Sequence, residues 1–363
     1  MSVNPDTYAS FLMAARDPSL TRRRQRRDRI GGLLVLAGTT LVLAALVSIP
    51  LFLTASLVSW TPLPAGSWVR LGTLLAGTLK AAICALLVAL PLGLGAAIFS
   101  ASFASPRFRG WFKPGLEILE AIPTVVLGLV AFATVSPWLK THVATLLVLI
   151  IVVPALLLAA GMLLGAPLRR RTGWLPLWLL PALLAVVAVV VATSGSREGG
   201  WIVVASPWNA VLIGLALGLA AVPLVFSIAE DALLLIPATH VQAALALGAT
   251  RWQALTSIVM PAARSGLVAA AVLGASRCLG ETMIVLMASG NTPIADPNPL
   301  AGLRSISAEL ALGLPEAAPP GGAYKSLLLA ALVLFALTFA LNLLAERARA
   351  HHRRRADTTL ALA

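Results

Sequence analysis

Residues 242–261 read Gln242-Ala243-Ala244-Leu245-Ala246-Leu247-Gly248-Ala249-Thr250-Arg251, then Trp252-Gln253-Ala254-Leu255-Thr256-Ser257-Ile258-Val259-Met260-Pro261. They form a moderately polar island in an otherwise oily chain. The pattern is Gln242-Ala243-Ala244, three residues, Gly248, nine residues, Ile258, one residue, Met260-Pro261. A glycine accepts backbone angles closed to other residues, so two short helices can meet at Gly248 at a sharp angle. Ala243, Ala244 and Leu247 then share one face at helical spacing, a small apolar ridge suited to a groove on a partner. The plainer alternative is an amphipathic helix resting on a lipid surface.

The surroundings decide what kind of protein carries this island. Of 363 residues, 59% are hydrophobic and 11% charged, and the mean hydropathy is +0.93. Soluble domains carry about a quarter charged residues, so the chain is expected in a membrane. A run of about twenty apolar residues spans a bilayer. Eight runs meet that length, near 30–57, 71–102, 115–137, 143–166, 174–193, 207–229, 265–289 and 325–346. The expected fold class is therefore all-α, a polytopic helical bundle.

The net charge of +13 does not point to nucleic acid, because no polar domain carries a basic stripe. The cations sit in short clusters between apolar runs, where anionic lipid and orientation account for them. With the N-terminus in the cytoplasm, twenty of the 27 fall inside, including the clusters Arg22-Arg23-Arg24, Arg169-Arg170-Arg171 and Arg353-Arg354-Arg355. Five (Arg70, Lys140, Arg197, Arg304, Lys325) fall outside, and Lys80 and Arg277 stay within the membrane. This orientation puts the 242–261 island in the cytoplasm. The basic segment 1–29 reads as a disordered or interfacial tail before an uncleaved first span, and 347–363 as a second cytoplasmic tail. The Pro- and Gly-rich stretch 291–322 reads as a long external loop. Gly214 and Gly218 form a small-xxx-small pair that implies close helix packing.

Two charges in one span need a reason. Each costs on the order of 2.5–3.5 kcal/mol at mid-bilayer by insertion scales. Arg277 and Glu281, at i and i+4, are expected to share a helix face and neutralise each other, although Arg before Glu is the poorer order. A guanidinium also offers forked donors matched to an oxyanion. The functional expectation is thus a pore-lining site, and the bland one a buried ion pair that fixes packing. Lys80 lies about nine residues into the second span and is either a path residue or a packing one. Glu117 and Glu120 open the third span and read as interfacial. Cys84 and Cys278 read as small packing residues, and neither they nor the four histidines make a metal-ligand cluster. With four lysines in all, no G-x-x-x-x-G-K-[ST] phosphate loop exists, so ATP would be hydrolysed elsewhere.

The 242–261 island resembles the EAA loop of ABC-importer permeases (E-A-A-x₃-G-x₉-I-x-L-P), with Gln242 in place of the glutamate and Met260 in place of the leucine. Other stretches narrow the resemblance. Asn209-Ala210-Val211, Ser227 to Ala232 and Ala246 to Thr250 belong to it. So do Leu279-Gly280-Glu281-Thr282-Met283-Ile284-Val285-Leu286-Met287, Gly290 to Ile294, and Lys113-Pro114 with Ile122 to Gly128. Together they resemble the inner-membrane permeases of phosphate ABC importers, of the PstC subunit type, over roughly 71–138 and 207–346.

The resemblance implies the type I importer permease fold, with a six-span core to which the runs near 143–193 add a pair. It implies alternating access for phosphate across a bacterial inner membrane. The implied partners are a homologous second permease of the PstA type, two copies of a cytoplasmic ATPase and a periplasmic phosphate-binding protein, with no cofactor. The expected coupling residues are Gln242, Ala243, Ala244, Leu247, Gly248, Ile258 and Pro261. The expected path residues are Arg277, Glu281, Thr282 and Lys80. A permease for sulfate, molybdate or phosphonate, or an ion-coupled secondary transporter, remains as an alternative.

Overall fold

Lipid offers backbone groups no hydrogen bonds, so a spanning segment must satisfy them within itself, as a helix does. Every regular element among the described residues of this computed structural model is helical. Those residues are 18–58, 62–139, 208–319 and 321–361. Five helices are long and apolar enough to cross a bilayer, and a bent pair makes a sixth candidate span. The runs near 143–166 and 174–193 lie outside the described residues.

Helix α1 (Pro18–Val58) belongs to a unit that ends at Trp60. It starts inside the stretch expected to be a tail, because Arg and Gln propagate a helix readily from an apolar span. The second unit holds the remaining helices: α2 (Ser67–Ser102), α3 (Pro106–Ala121), α4 (Thr124–Leu139), α5 (Ala210–Leu234) and α6 (Ala238–Ala246), then α7 (Arg251–Gly280), α8 (Met283–Ala288), α9 (Ile306–Gly313) and α10 (Gly322–Ala361). Helix α10 likewise runs through the expected C-terminal tail to Ala361.

Helices α2 and α5 make the most extensive pairing, and both pack on α7, which leans on α10. The small residues set the spacing of the first pair. A Cβ on Gly214 would come within 2.8 Å of the Cys84 Cβ, and one on Gly218 within 2.7 Å of the Val88 Cβ. Side chains there would hold the helices apart, as the small-xxx-small reading expects. One apolar core forms along this seam and includes Ala85, Leu212, Leu217 and Ile284. A second lies at the end of the bundle nearer Gly248 and includes Ala97, Phe226, Leu255 and Val259.

Two spans depart from straight helices. The third run bends by 85° between α3 and α4. Ile122 is extended there (φ −65°, ψ 126°) because the ring of Pro123 crowds the helical region for the residue before it. The seventh run is one helix only as far as Gly280, and Glu281 is extended (φ −71°, ψ 127°) before the short α8. Glycine is a weak helix former, which favours a break at this point.

Two of the prolines inside the helices are absorbed in the same way. Each of Pro137 and Pro261 follows a five-residue π-type turn by one residue, namely Ala131–Val135 and Leu255–Val259. Ser136 N–H donates to Ala131 O, and Met260 N–H to Leu255 O. The wider turn relieves the clash of a proline ring with the carbonyl four residues earlier. Ile258 and Pro261 therefore sit within a continuous helix and not in a loop.

The segment after α8 is not loop throughout. Ser305 caps α9, its hydroxyl accepting from Ala308 N–H, and residues 305–309 are buried. Serine before an apolar run is a helix-start signal that the surrounding prolines outweighed in the sequence.

Candidate functional site

The turn at Gly248 is built by a C-cap motif. Ala249 N–H donates to Ala244 O at 3.0 Å and Gly248 N–H to Leu245 O at 3.0 Å, while Gly248 takes φ +87°. This is the double-bonded ending that glycine favours after a helix. Thr250 then starts α7 with a capping box, exchanging hydrogen bonds with Gln253. The expected ridge is divided. Leu247 is 89% exposed and Ala243 and Gln242 are exposed, but Ala244 is 8% exposed and turned inward. The outward apolar residues of this turn thus include Ala243, Leu245 and Leu247, with Leu247 the most exposed. Ala244 lies in the stem of the cap and is not available to a partner.

Arg277 does not pair with Glu281. The helix ends between them, and the expected i, i+4 face does not exist. The Glu281 carboxylate instead accepts from Met283 N–H at 3.2 Å, and its backbone carbonyl accepts from the Ser307 hydroxyl at 2.9 Å. These bonds occupy polar groups that the break frees, a requirement for irregular backbone at membrane depth. Thr282 completes the break, with its hydroxyl 3.5 Å from Gly280 O.

The partner of Arg277 comes from the other interrupted span. Nη1 lies 3.7 Å from Oε1 of Glu120, one residue before the end of α3. The separation is that of an ion pair without a hydrogen bond. Both side chains are partly exposed, 30% for Arg277 and 43% for Glu120. Among the described residues nothing takes up the guanidinium N–H donors by a hydrogen bond. The site therefore presents a cation with open donor edges where two interrupted spans meet. Such an arrangement can hold an anion reversibly, with Glu120 as the competing internal anion.

Lys80 does not join that group. Its ammonium donates to Asp296 O at 2.9 Å and Ala301 O at 3.3 Å, under the segment that follows α8. A cavity of about 530 Å³ opens beside it, lined by residues that include Leu79, Ile83, Leu87, Ile294 and Pro297. The wall is mostly apolar, and Arg277 is not part of it.

Two buried carboxylates complete the electrostatics. Glu230, fully buried near the end of α5, accepts from the Ser100 hydroxyl and lies 3.3 Å from Lys113 and 3.7 Å from Arg109. Glu309 on α9, 2% exposed, pairs with Arg70 and, at 2.6 Å, with Arg304. Glu309 carries no signal in the sequence, since it lies in a proline-rich stretch. Glu120 reads as interfacial in the sequence because the bend beside it, which brings it to Arg277, is not visible in hydropathy. Among the described residues, no group of three His, Cys, Asp or Glu is placed to hold a metal.

Comparisons with known proteins bear on this arrangement. Residues 175–357 match the family described as binding-protein-dependent transport system inner membrane component. The phosphate transport system permease protein PstC of Mycobacterium leprae is 28% identical over 275 residues, 74% of this chain and 72% of that protein. The protein of the same name from Xylella fastidiosa is 28% identical over 279 residues, 74% of this chain and 70% of its own length. PstC 1 of Mycobacterium tuberculosis is 29% identical over 286 residues, 78% and 73% of the two chains. With half of its length matched, several helices fit to cross a bilayer and a glycine-capped turn between α6 and α7, the chain belongs to the binding-protein-dependent transport system inner membrane component family.

Proposed function

We propose that this chain is the permease subunit of an ATP-driven importer, forming half of a path for inorganic phosphate across a bacterial inner membrane. The observation that carries the reading is Arg277, a cation with open donors held where two interrupted spans meet. The names of the relatives favour phosphate over sulfate, molybdate or phosphonate. Family membership speaks against an ion-coupled secondary transporter.

The proposed partners are a second, PstA-type permease, two copies of a cytoplasmic ATPase and a periplasmic phosphate-binding protein. Both termini lie in the cytoplasm in this scheme, as does the Gly248 turn, whose exposed Ala243 and Leu247 meet the ATPase. ATP-driven closure of the motors moves α6, and the two halves of the path alternate between outward and inward access. Phosphate carries one to two negative charges and must shed strongly held water to enter a low-dielectric path. A guanidinium lowers that barrier, and a nearby carboxylate keeps the well shallow enough for release.

The test is uptake of labelled phosphate by cells that depend on this chain. Arg277→Gln removes the charge at similar size and is expected to abolish uptake while the protein accumulates in the membrane at the parental level. Parental uptake in that variant would refute the assignment.

A further inference from the structure

Helix α3 is held by charge at two separate places. At its middle, Lys113 Nζ lies 3.3 Å from Glu230 and 3.4 Å from Asp231. Arg109 lies 3.7 Å from Glu230 and donates to Ser100 O at 2.6 Å. Toward its end, Glu120 meets Arg277. The two attachments are about 10 Å apart along the helix at a rise of 1.5 Å per residue. The helix runs through Pro114 between them.

Aromatic packing fixes the same helix to the Gly248 end of the bundle. Phe108 stacks on Phe112 at 5.2 Å, and Phe112 meets Phe226 edge-to-face at 5.8 Å. Phe112 and Leu116 pack against the core that contains Leu255 and Val259, the two ends of the π-type turn in α7. Glu230 and Asp231 stand just before the end of α5 at Leu234, and α6 starts at Ala238. The first attachment is therefore made to α5, which leads into the Gly248 turn, and the aromatic side chains share an apolar core with the start of α7 that follows it.

A packed helix moves as a unit, and elements with two discrete arrangements carry coupling between sites. We propose that α3 is a lever that transmits movement of the Gly248 turn to Arg277, and that Glu120 is the positioning residue at its working end. When α5 and the start of α7 shift with α6, Lys113 and the phenylalanine ladder carry α3 with them. Glu120 then approaches or leaves Arg277. Approach sets a carboxylate against the guanidinium in competition with the anion, and departure frees the donors. The inference rests on the reading of Arg277 as an anion contact.

The test is a double-mutant cycle on Lys113→Gln and Glu120→Gln in the assembled transporter. It reads phosphate uptake per unit of protein in the membrane, and phosphate moved per ATP hydrolysed. Each single change is expected to lower both readings about tenfold. The double variant should fall no further than the weaker single, because one linkage has been cut twice. Singles that match the parent, or losses that multiply in the double, would overturn the proposal. Arg277→Gln in parallel separates the two readings: parental uptake there refutes the anion contact, whereas its loss beside an unaffected Glu120→Gln refutes the lever alone. Should Glu120→Gln fail to accumulate, Glu120→Asp, with a stem one methylene shorter, takes its place in the same cycle.

Discussion

Arg277 reaches across to Glu120 on another span, 3.7 Å away, and not to Glu281 four residues along its own chain. The difference changes what a substitution does. An intrahelical pair could be deleted as a unit, but this contact joins two interrupted spans and leaves Glu281 with a separate task at the break. Arg277→Lys keeps the charge and loses the planar fork, and Arg and Lys are not equivalent at forked sites. We expect Arg277→Lys to retain measurable phosphate uptake with a raised KM, against none for Arg277→Gln. Equal loss in both variants would mean that geometry, and not charge, governs this position.

Ser307 provides a second test of the break. Its hydroxyl holds the Glu281 carbonyl at 2.9 Å. Ser307→Ala leaves that part-buried carbonyl without this donor, at a cost of up to about 1–3 kcal/mol, the figure for a fully buried group. The expected result is a lower melting temperature of the purified protein, with Ser307→Thr close to the parent. An unchanged melting temperature in Ser307→Ala would show that the break is held by other contacts.

The turn at Gly248 can be probed by backbone strain alone, since nothing lies within 4 Å of where a Cβ would stand. At φ +87° an ordinary residue pays about 1–2 kcal/mol, and asparagine tolerates the region better. Gly248→Ala and Gly248→Asp should reduce uptake and weaken ATPase association, with Gly248→Asn the mildest of the three. Ala244→Glu should act differently, by disrupting the seat of α6 on α7 and so lowering protein abundance. Equal uptake in all four variants would remove this turn from the coupling path.

Helix spacing gives a stability prediction. Gly218→Ala sets a Cβ 2.7 Å from the Val88 Cβ and 2.8 Å from Ala85 O. Overpacking of this kind costs about 1–3 kcal/mol. A lowered melting temperature of the purified protein is expected, and an unchanged one would show that α2 and α5 can part without penalty.

Orientation is open to labelling. With Cys84 and Cys278 replaced by alanine, a cysteine at Asn298 should react with a membrane-impermeant reagent from outside. Cysteines at Arg107, His240 and Arg170 should react only after permeabilisation. Outside reactivity at Arg170 would mean that the runs near 143–193 do not form a spanning pair.

Composition and hydropathy alone determined that the chain is an all-helical membrane protein, because a bilayer leaves few ways to satisfy a backbone. Spacing alone determined the turn at Gly248, where local backbone geometry demands glycine, and the close approach of α5 at Gly214 and Gly218. Hydropathy sees neither direction nor interruption. The 85° bend at Ile122-Pro123, the break at Glu281 and the helix hidden in the proline-rich segment are local backbone events inside runs of suitable composition. The partners of charged groups escaped for the same reason. Spacing matches Arg277 with its neighbour in sequence, whereas an ion pair forms with whatever the packing brings near. Glu120 and Arg277 are 157 positions apart, and only the tertiary structure, by turning α3 toward the break in α7, brings them together.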